Sequence, residues 1–525
     1  MSTPAASGPR RVLPGDAGCA LHDVAASRAI EAGALAQAPA HALMQRAGHG
    51  VARLALAVAP HARQVWVACG PGNNGGDGLV AATLLRRAGL AVSATLFGEA
   101  QRLPDDARHA WQQALQAGVA IAPPPAADAP VELAIDALLG VGATRAPQGE
   151  IAAAIARLAS LRAPVLAVDL PSGLGADTGQ RLGAQAVVAT HTLSLLTLKP
   201  GLFTATGRDH AGQIWLDMLG VADDLQVPAS ARLSGAEVLN VLAQRAHASH
   251  KGSFGDLLVV GGAPGMSGAA LLAGRAALAA GAGRVFLNLL DSDAASFDAW
   301  QPELMLRRDF WRGDASVLGR STVVCGCGGG AAVRDTLPVL LSRSARLLLD
   351  ADALNALAAD EALRRLLDAR SARGLATVLT PHPLEAARLL GCDAAAVQAD
   401  RLRAADALAR RHGCVVLLKG SGSVIAGPHG VPTINPTGNG LLAGGGTGDV
   451  LAGWIGGFWA QAATHGDAHA ARCATEAAVW LHGHAADRLH EQAAGSLALR
   501  AGELTERMRD AAALRGTAAP GRNVF

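Results

Sequence analysis

The residues best suited to chemistry lie in a glycine-rich turn, GGGTGDVLAG, at Gly444–Gly453. It runs directly into an apolar stretch, VLAGWIGGFWA, and so predicts a turn that opens a helix. The free N–H groups and positive dipole end of such a helix face an anion. Asp449 would repel a phosphate that was merely bound there. It fits a reaction in which a carboxylate takes the proton of a hydroxyl that attacks a phosphoryl group. Asp is also a favoured helix N-cap, and the stretch alone leaves both roles open.

A second constellation surrounds the lysines. The chain has 45 Lys plus Arg, yet Lys occurs only at Lys199, Lys251 and Lys419, each beside a glycine or proline-glycine turn. Where Arg is so strongly preferred, a retained Lys points to a need for a compact ammonium. Lys419 with Gly420, Ser421, Gly422 and Ser423 offers a cation and backbone donors suited to a nucleotide phosphate. An ordinary hairpin turn accounts for the same residues. His382 stands between Pro381 and Pro383, so its backbone is stiff and its ring aimed. His482 and His484, in a late helix without a matching acid or Cys, read as structural.

The third constellation is GPGNNGGDG at Gly70–Gly78. It is not the GxGxxG fingerprint. Asn and Gly both tolerate positive φ, which is one account of the string. The other is that side-chain oxygens of Asn73, Asn74 and Asp77 meet a cation while the backbone holds a phosphate. Asp136 and Asp169 end two further apolar runs, and the ends of parallel strands line one edge of an open sheet.

The elements that position these groups read as two successive α/β units. In the first, strands are expected at Gln64–Ala68, Leu90–Phe97, Val131–Ile135, Pro164–Val168, Ala186–Leu196 and Gln213–Leu216. Helices are expected within Val24–Val58 and at Leu79–Ala88, Asp105–Ala117 and Gly149–Ala159. Cys69–Gly78 is read as a turn, and residues 1–18 as a disordered lead-in. VADDLQVPASARLSG reads as a linker. In the second unit, strands at Leu257–Val260, Arg284–Leu290, Ser321–Val324, Thr377–Leu379 and Val415–Leu418 alternate with helices. One helix is expected at Ala269–Ala280, and Asp350 and Asp352 end another strand.

At 525 residues the chain is too long for one core. A net charge of +2 gives no basic excess for nucleic acid. The N-terminus has no apolar core for a signal peptide, and the apolar runs are broken by Gly, Pro or charge well short of a membrane span. Seven cysteines form no CxxC pair, and Cys325 and Cys327 read as packing residues. A soluble, cytoplasmic protein is expected.

In their order and spacing, GPGNNGGDG, DALLGVGATR, VDLPSG and LKPG resemble the NAD(P)H-hydrate epimerase domain, over about Leu21–Leu219. The resemblance implies a Rossmann-like three-layer αβα domain that interconverts the R and S hydrates at C6 of the reduced nicotinamide. It implies that Asn73, Asn74, Gly75, Gly76 and Asp77 hold the substrate, together with Gly140, Val141, Gly142, Ala143, Thr144, Arg145 and Ala146. Asp169 would also touch substrate and is the candidate base. Asn74, Asp136 and Ser172 would hold a potassium ion.

HKGSFG, GMSGAA, DADALN, TPHPLEAARL, LKGSGSVI and GGTGDVLAG resemble the ADP-dependent NAD(P)H-hydrate dehydratase domain, over about Ser234–Ala512. This implies a ribokinase-like fold. Asp449 would act on the hydrate and Gly448 would touch the nucleotide. Lys419, Gly420, Ser421, Gly422 and Ser423 would bind ADP, and Ala269, Gly328 and His382 the hydrate. Magnesium would accompany ADP, the phosphoryl donor. Leu384 departs from the family's usual glycine. The implied organisation is an epimerase domain at 11–220, a linker at 221–233, a dehydratase domain at 234–512, and assembly into a tetramer or larger homo-oligomer. Two other readings stay open: a ribokinase-type small-molecule kinase with a regulatory first half, and a ligand-binding sensor without turnover.

Overall fold

A computed structural model describes residues 8–221, 227–241, 245–312, 315–462, 468–492 and 499–516. The chain divides into two compact units, the first mainly Ala20–Arg232 and the second mainly Leu233–Phe525.

In the first unit, strands Gln64–Cys69, Ala91–Leu96 and Ala120–Ile121 add to the sheet in one direction. Strands Leu133–Ala137, Val165–Val168, His191–Leu195 and Gln213–Asp217 add in the other, all parallel. The order reverses between Gln64–Cys69 and Leu133–Ala137, which opens the crevice where such sheets bind ligands. The strands are buried on both faces, as apolar parallel strands require. Two expectations are corrected. Arg10–Arg11 is not part of a loose lead-in: it pairs antiparallel with Trp215 and Leu216 on the sheet edge. The Asn-rich string is a turn only as far as Gly72, because the helix runs Asn73–Arg87. Its glycines allow the early start. A Cβ on Gly75 would lie 2.0 Å from the Gly70 carbonyl oxygen, and one on Gly76 2.5 Å from the Met44 methyl carbon.

The second unit repeats the plan. Strands Asp256–Gly261, Arg284–Leu289 and Met305–Leu306 add in one direction. Thr322–Cys325, Arg346–Leu349, Ala376–Leu379 and Val415–Leu418 add in the other, again parallel. Val424–Ala426 and Thr433–Ile434 follow as antiparallel hairpin strands. The switch point falls between Asp256–Gly261 and Thr322–Cys325. The helix after the first of these begins at Ser267, earlier than the expected Ala269.

The helix Thr447–Ala460 is buried from Val450 to its end, so its apolar run is the interior of a layer, not a surface stripe. Its glycines set that depth. A Cβ on Gly453 would come 2.1 Å from the Ala273 carbonyl oxygen, and one on Gly457 2.7 Å from Ala280. Among the described residues no helix is long and apolar enough to cross a membrane.

Candidate active sites

At the first switch point a cavity of about 430 Å³ is lined by Asn73, Asn74, Asp77, Asp169 and the loop Gly140–Ala143, with Glu31 and Lys199. Gly75 and Gly76 are absent from that lining and serve helix packing. Thr144, Arg145 and Ala146 continue the loop beyond it. The strand ends converge through hydrogen bonds. Asp136, fully buried, accepts from the Ser172 hydroxyl at 2.6 Å and the Ser172 amide at 2.8 Å. Burial pushes its carboxyl up to about 6, because no cation among the described residues pairs with it. The Asn74 side chain packs against Gly140, and its buried Nδ2 has no partner. A buried carboxylate without a counter-charge and an unsatisfied amide, whose O and N are interchangeable by a flip, are donors suited to a hard monovalent cation.

Asp169 follows strand Val165–Val168 with φ +68°, a strained conformation for a non-glycine residue. The buried Lys199 ammonium pairs with its Oδ1, which also accepts from the Leu195 amide at 3.2 Å. Lys199 is fixed in turn by the carbonyls of Leu195 (2.8 Å) and Thr197 (3.0 Å). Asp77 is held well above the usual carboxylate range, by burial first and then by repulsion from Asp169, Glu31 and Asp106. Glu31 is raised by burial and then by repulsion from Asp169, against the pull of Lys199 and Arg28. Its helix position carried no sequence signal, whereas the scarcity of lysine had marked Lys199.

In the second unit the GTGD acid is not the helix cap. Gly446, at φ +87°, is the N-cap, and Asp449 is the third helical residue. The Thr447 hydroxyl ties the turn to the carbonyls of Leu442 and Gly444, both at 3.0 Å. His482, read as structural, lies 3.1 Å from the Thr447 carbonyl. Asp449 approaches the Cys327 thiol. Burial, then repulsion from Asp350, pushes its carboxyl up to about 6. The Lys419 ammonium pairs with buried Asp350 at 2.7 Å, and a Cβ on Gly448 would lie 3.5 Å from it. The lysine of one expected loop therefore reaches the turn of the other.

Ala269 and Gly328 also meet: a Cβ on Gly328, at φ +57°, would lie 2.9 Å from that of Ala269. His382 has a structural task. Its Nδ1 caps the helix Pro383–Leu390 by accepting from the amides of Leu384 and Glu385, while Glu385 returns a bond to its amide. Leu384 points to solvent from that first turn.

Cys327, Asp350 and Asp449 each place a ligand atom within 4.8 Å of the others. The carboxylates suit a hard cation such as magnesium. The Cys327 thiol, pushed far up by burial, does not. Cys327, read as a packing residue, therefore borders the site without being a fitting ligand.

Two α/β units, each with a polar site at its switch point, define a two-site enzyme. A family model described as NAD(P)H-hydrate dehydratase matches residues 257–508, and one described as YjeF-related protein N-terminus matches residues 40–201. The bifunctional NAD(P)H-hydrate repair enzyme Nnr of Escherichia coli (strain K12) is 39% identical over 458 residues, covering 85% of each chain. That of Coxiella burnetii is 35% identical over 464 residues, covering 86% of this chain and 90% of its own. The ADP/ATP-dependent NAD(P)H-hydrate dehydratase of Bacillus subtilis, co-crystallised with ATP/Mg2+, is 31% identical and covers 52% of this chain and 94% of its own, with TM-score 0.41. The chain belongs to the family of bifunctional NAD(P)H-hydrate repair enzymes.

Proposed function

We propose that the first unit interconverts the R and S hydrates of NADH and NADPH, and that the second dehydrates the S hydrate using ADP. In the second site Asp449 takes the proton of the C6 hydroxyl as that oxygen attacks the β-phosphoryl group of ADP, and AMP leaves. Phosphate then departs from C6 and a proton from C5, restoring the double bond. Lys419 and the amides of the Gly445–Gly448 turn face the transferring group. Asp350 and Asp449 would hold magnesium together with the nucleotide phosphates, and the ion would supply further neutralisation of charge.

In the first site Asp169, kept in place by Lys199, is the base. Asn74, Asp136 and Ser172 would hold potassium, and Asn73, Asn74 and Asp77 with Gly140–Ala143 embrace the dinucleotide. His382 stiffens the edge of the second site, with Ala269 and Gly328 as the close-packed wall against the hydrate.

The observation that carries this reading is the meeting of Lys419 with Gly448 and Asp449, because an ammonium beside a raised carboxylate supports phosphate binding next to a proton acceptor. A site that only retained phosphate would have no use for Asp449. The test supplies mixed R,S-hydrated NADH with ADP and follows the return of reduced-nicotinamide absorbance. Full return is expected; no return with either ADP or ATP would refute the repair reading.

A further inference from the structure

The loop Lys419–Ser423 has an unusual polarity. A phosphate is repelled by carbonyl oxygens, and four of this segment's carbonyls, with that of Leu418 just before it, are hydrogen-bonded within the protein. Arg401, the first residue of helix Arg401–His412 and only 1% exposed, accounts for three of them. Its Nη2 donates to the carbonyls of Leu418 (3.3 Å), Lys419 (3.2 Å) and Gly422 (3.5 Å), and its Nη1 to Gln398 Oε1 (2.7 Å). The Gly420 carbonyl accepts from the Ser423 hydroxyl at 3.1 Å, and the Ser423 carbonyl from the Asn435 amide at 2.9 Å. Gly420, at φ +132°, lies so close that a Cβ there would stand 3.0 Å from Arg401 Nη1. Burial lowers the guanidinium to about 10, so it remains charged at neutral pH.

We propose that Arg401 is the positioning residue of the nucleotide loop, gathering its carbonyls inward so that a nucleoside diphosphate meets Lys419 and backbone without carbonyl repulsion. This rests on reading Lys419–Ser423 as the nucleotide loop. The role needs a planar fork, because Nη2 takes the three carbonyls while Nη1 anchors the guanidinium to Gln398. A lysine keeps the charge but has a single nitrogen.

The test uses the full-length chain. ADP is titrated by calorimetry into wild type, Lys419→Ala, Arg401→Lys and Arg401→Ala, and KM is measured separately for ADP and for the S hydrate. Arg401→Lys is expected to weaken ADP binding and raise KM for ADP by about tenfold or more, the loss of hydrogen bonds to a charged group. KM for the hydrate, which binds in the same unit, should stay within about twofold, which controls for folding. Added guanidinium ion should restore part of the ADP affinity of Arg401→Ala. If Lys419→Ala weakens ADP binding while Arg401→Lys binds as wild type, the positioning role is refuted and the loop assignment stands. Wild-type affinity in Lys419→Ala refutes both. Equal rises in KM for both substrates, without guanidinium rescue, assign Arg401 to general support and overturn the proposal.

Discussion

Asp449 and Asp169 are both carboxylates after glycine-bearing or strand-end turns, yet their surroundings differ. Asp449 shares its site with Asp350 and a thiol, and burial raises it to about 6. A base works only when deprotonated, so dehydratase kcat/KM should rise with pH through about 6 and level above it. A rate independent of pH between 5 and 7 would remove Asp449 from the base role. Asp449→Asn keeps the shape and removes the proton acceptor. It should lower dehydration by about 10²–10⁴-fold, the usual worth of general base catalysis, as measured with S hydrate and ADP. Asp169 instead has Lys199 as its counter-charge. Removing the ammonium with Lys199→Met leaves Asp169 with like-charged neighbours and without its paired cation. Epimerisation should fall by about tenfold or more, while dehydration of S hydrate stays level.

The element that carries Asp449 depends on glycines for its depth. Helix Thr447–Ala460 lies against Ser267–Ala279 at a distance only small residues allow. Gly453→Ala drives a methyl into the Ala273 carbonyl. It should cost about 1–3 kcal/mol, the range for overpacking, read as a lower urea midpoint of the second unit's unfolding. The exposed Gly502 meets nothing nearby, so Gly502→Ala should not destabilise and serves as the control. The same reasoning explains the first unit's Asn-rich segment. The string looks like a turn because of its glycines, but those glycines let a helix start close to strand Gln64–Cys69. Asn74 thereby comes within reach of Gly140.

For the whole molecule, the two sites should be separable by mutation. Asp169→Ala should stop repair at the S half of an R,S mixture when spontaneous epimerisation is slow. Asp449→Asn should still equilibrate the epimers but restore no NADH. Chromatography of the two hydrates beside the absorbance assay distinguishes these outcomes. A chain in which either change abolished both activities would not have independent sites.

Much of this was legible in the sequence, because the motifs are runs of unusual residues at strand ends. Parallel strands of Val, Ile, Leu and Ala alternate with helices, and their carboxyl ends must share an edge. The GTGD turn, the lysine loop and the Asn-rich string were marked by their glycines or by rarity, and the acids Asp136 and Asp169 by their place at the ends of apolar runs. The tertiary structure decided what lies between them. No spacing reveals that Lys419 reaches Gly448, that Lys199 holds Asp169, or that His382 spends its Nδ1 on a helix cap. Nor does any local pattern mark Glu31, or Arg401 behind its loop. These pairings join residues far apart in the chain. They exist only because sheet order, helix depth and burial bring the groups together and set which of them carry charge.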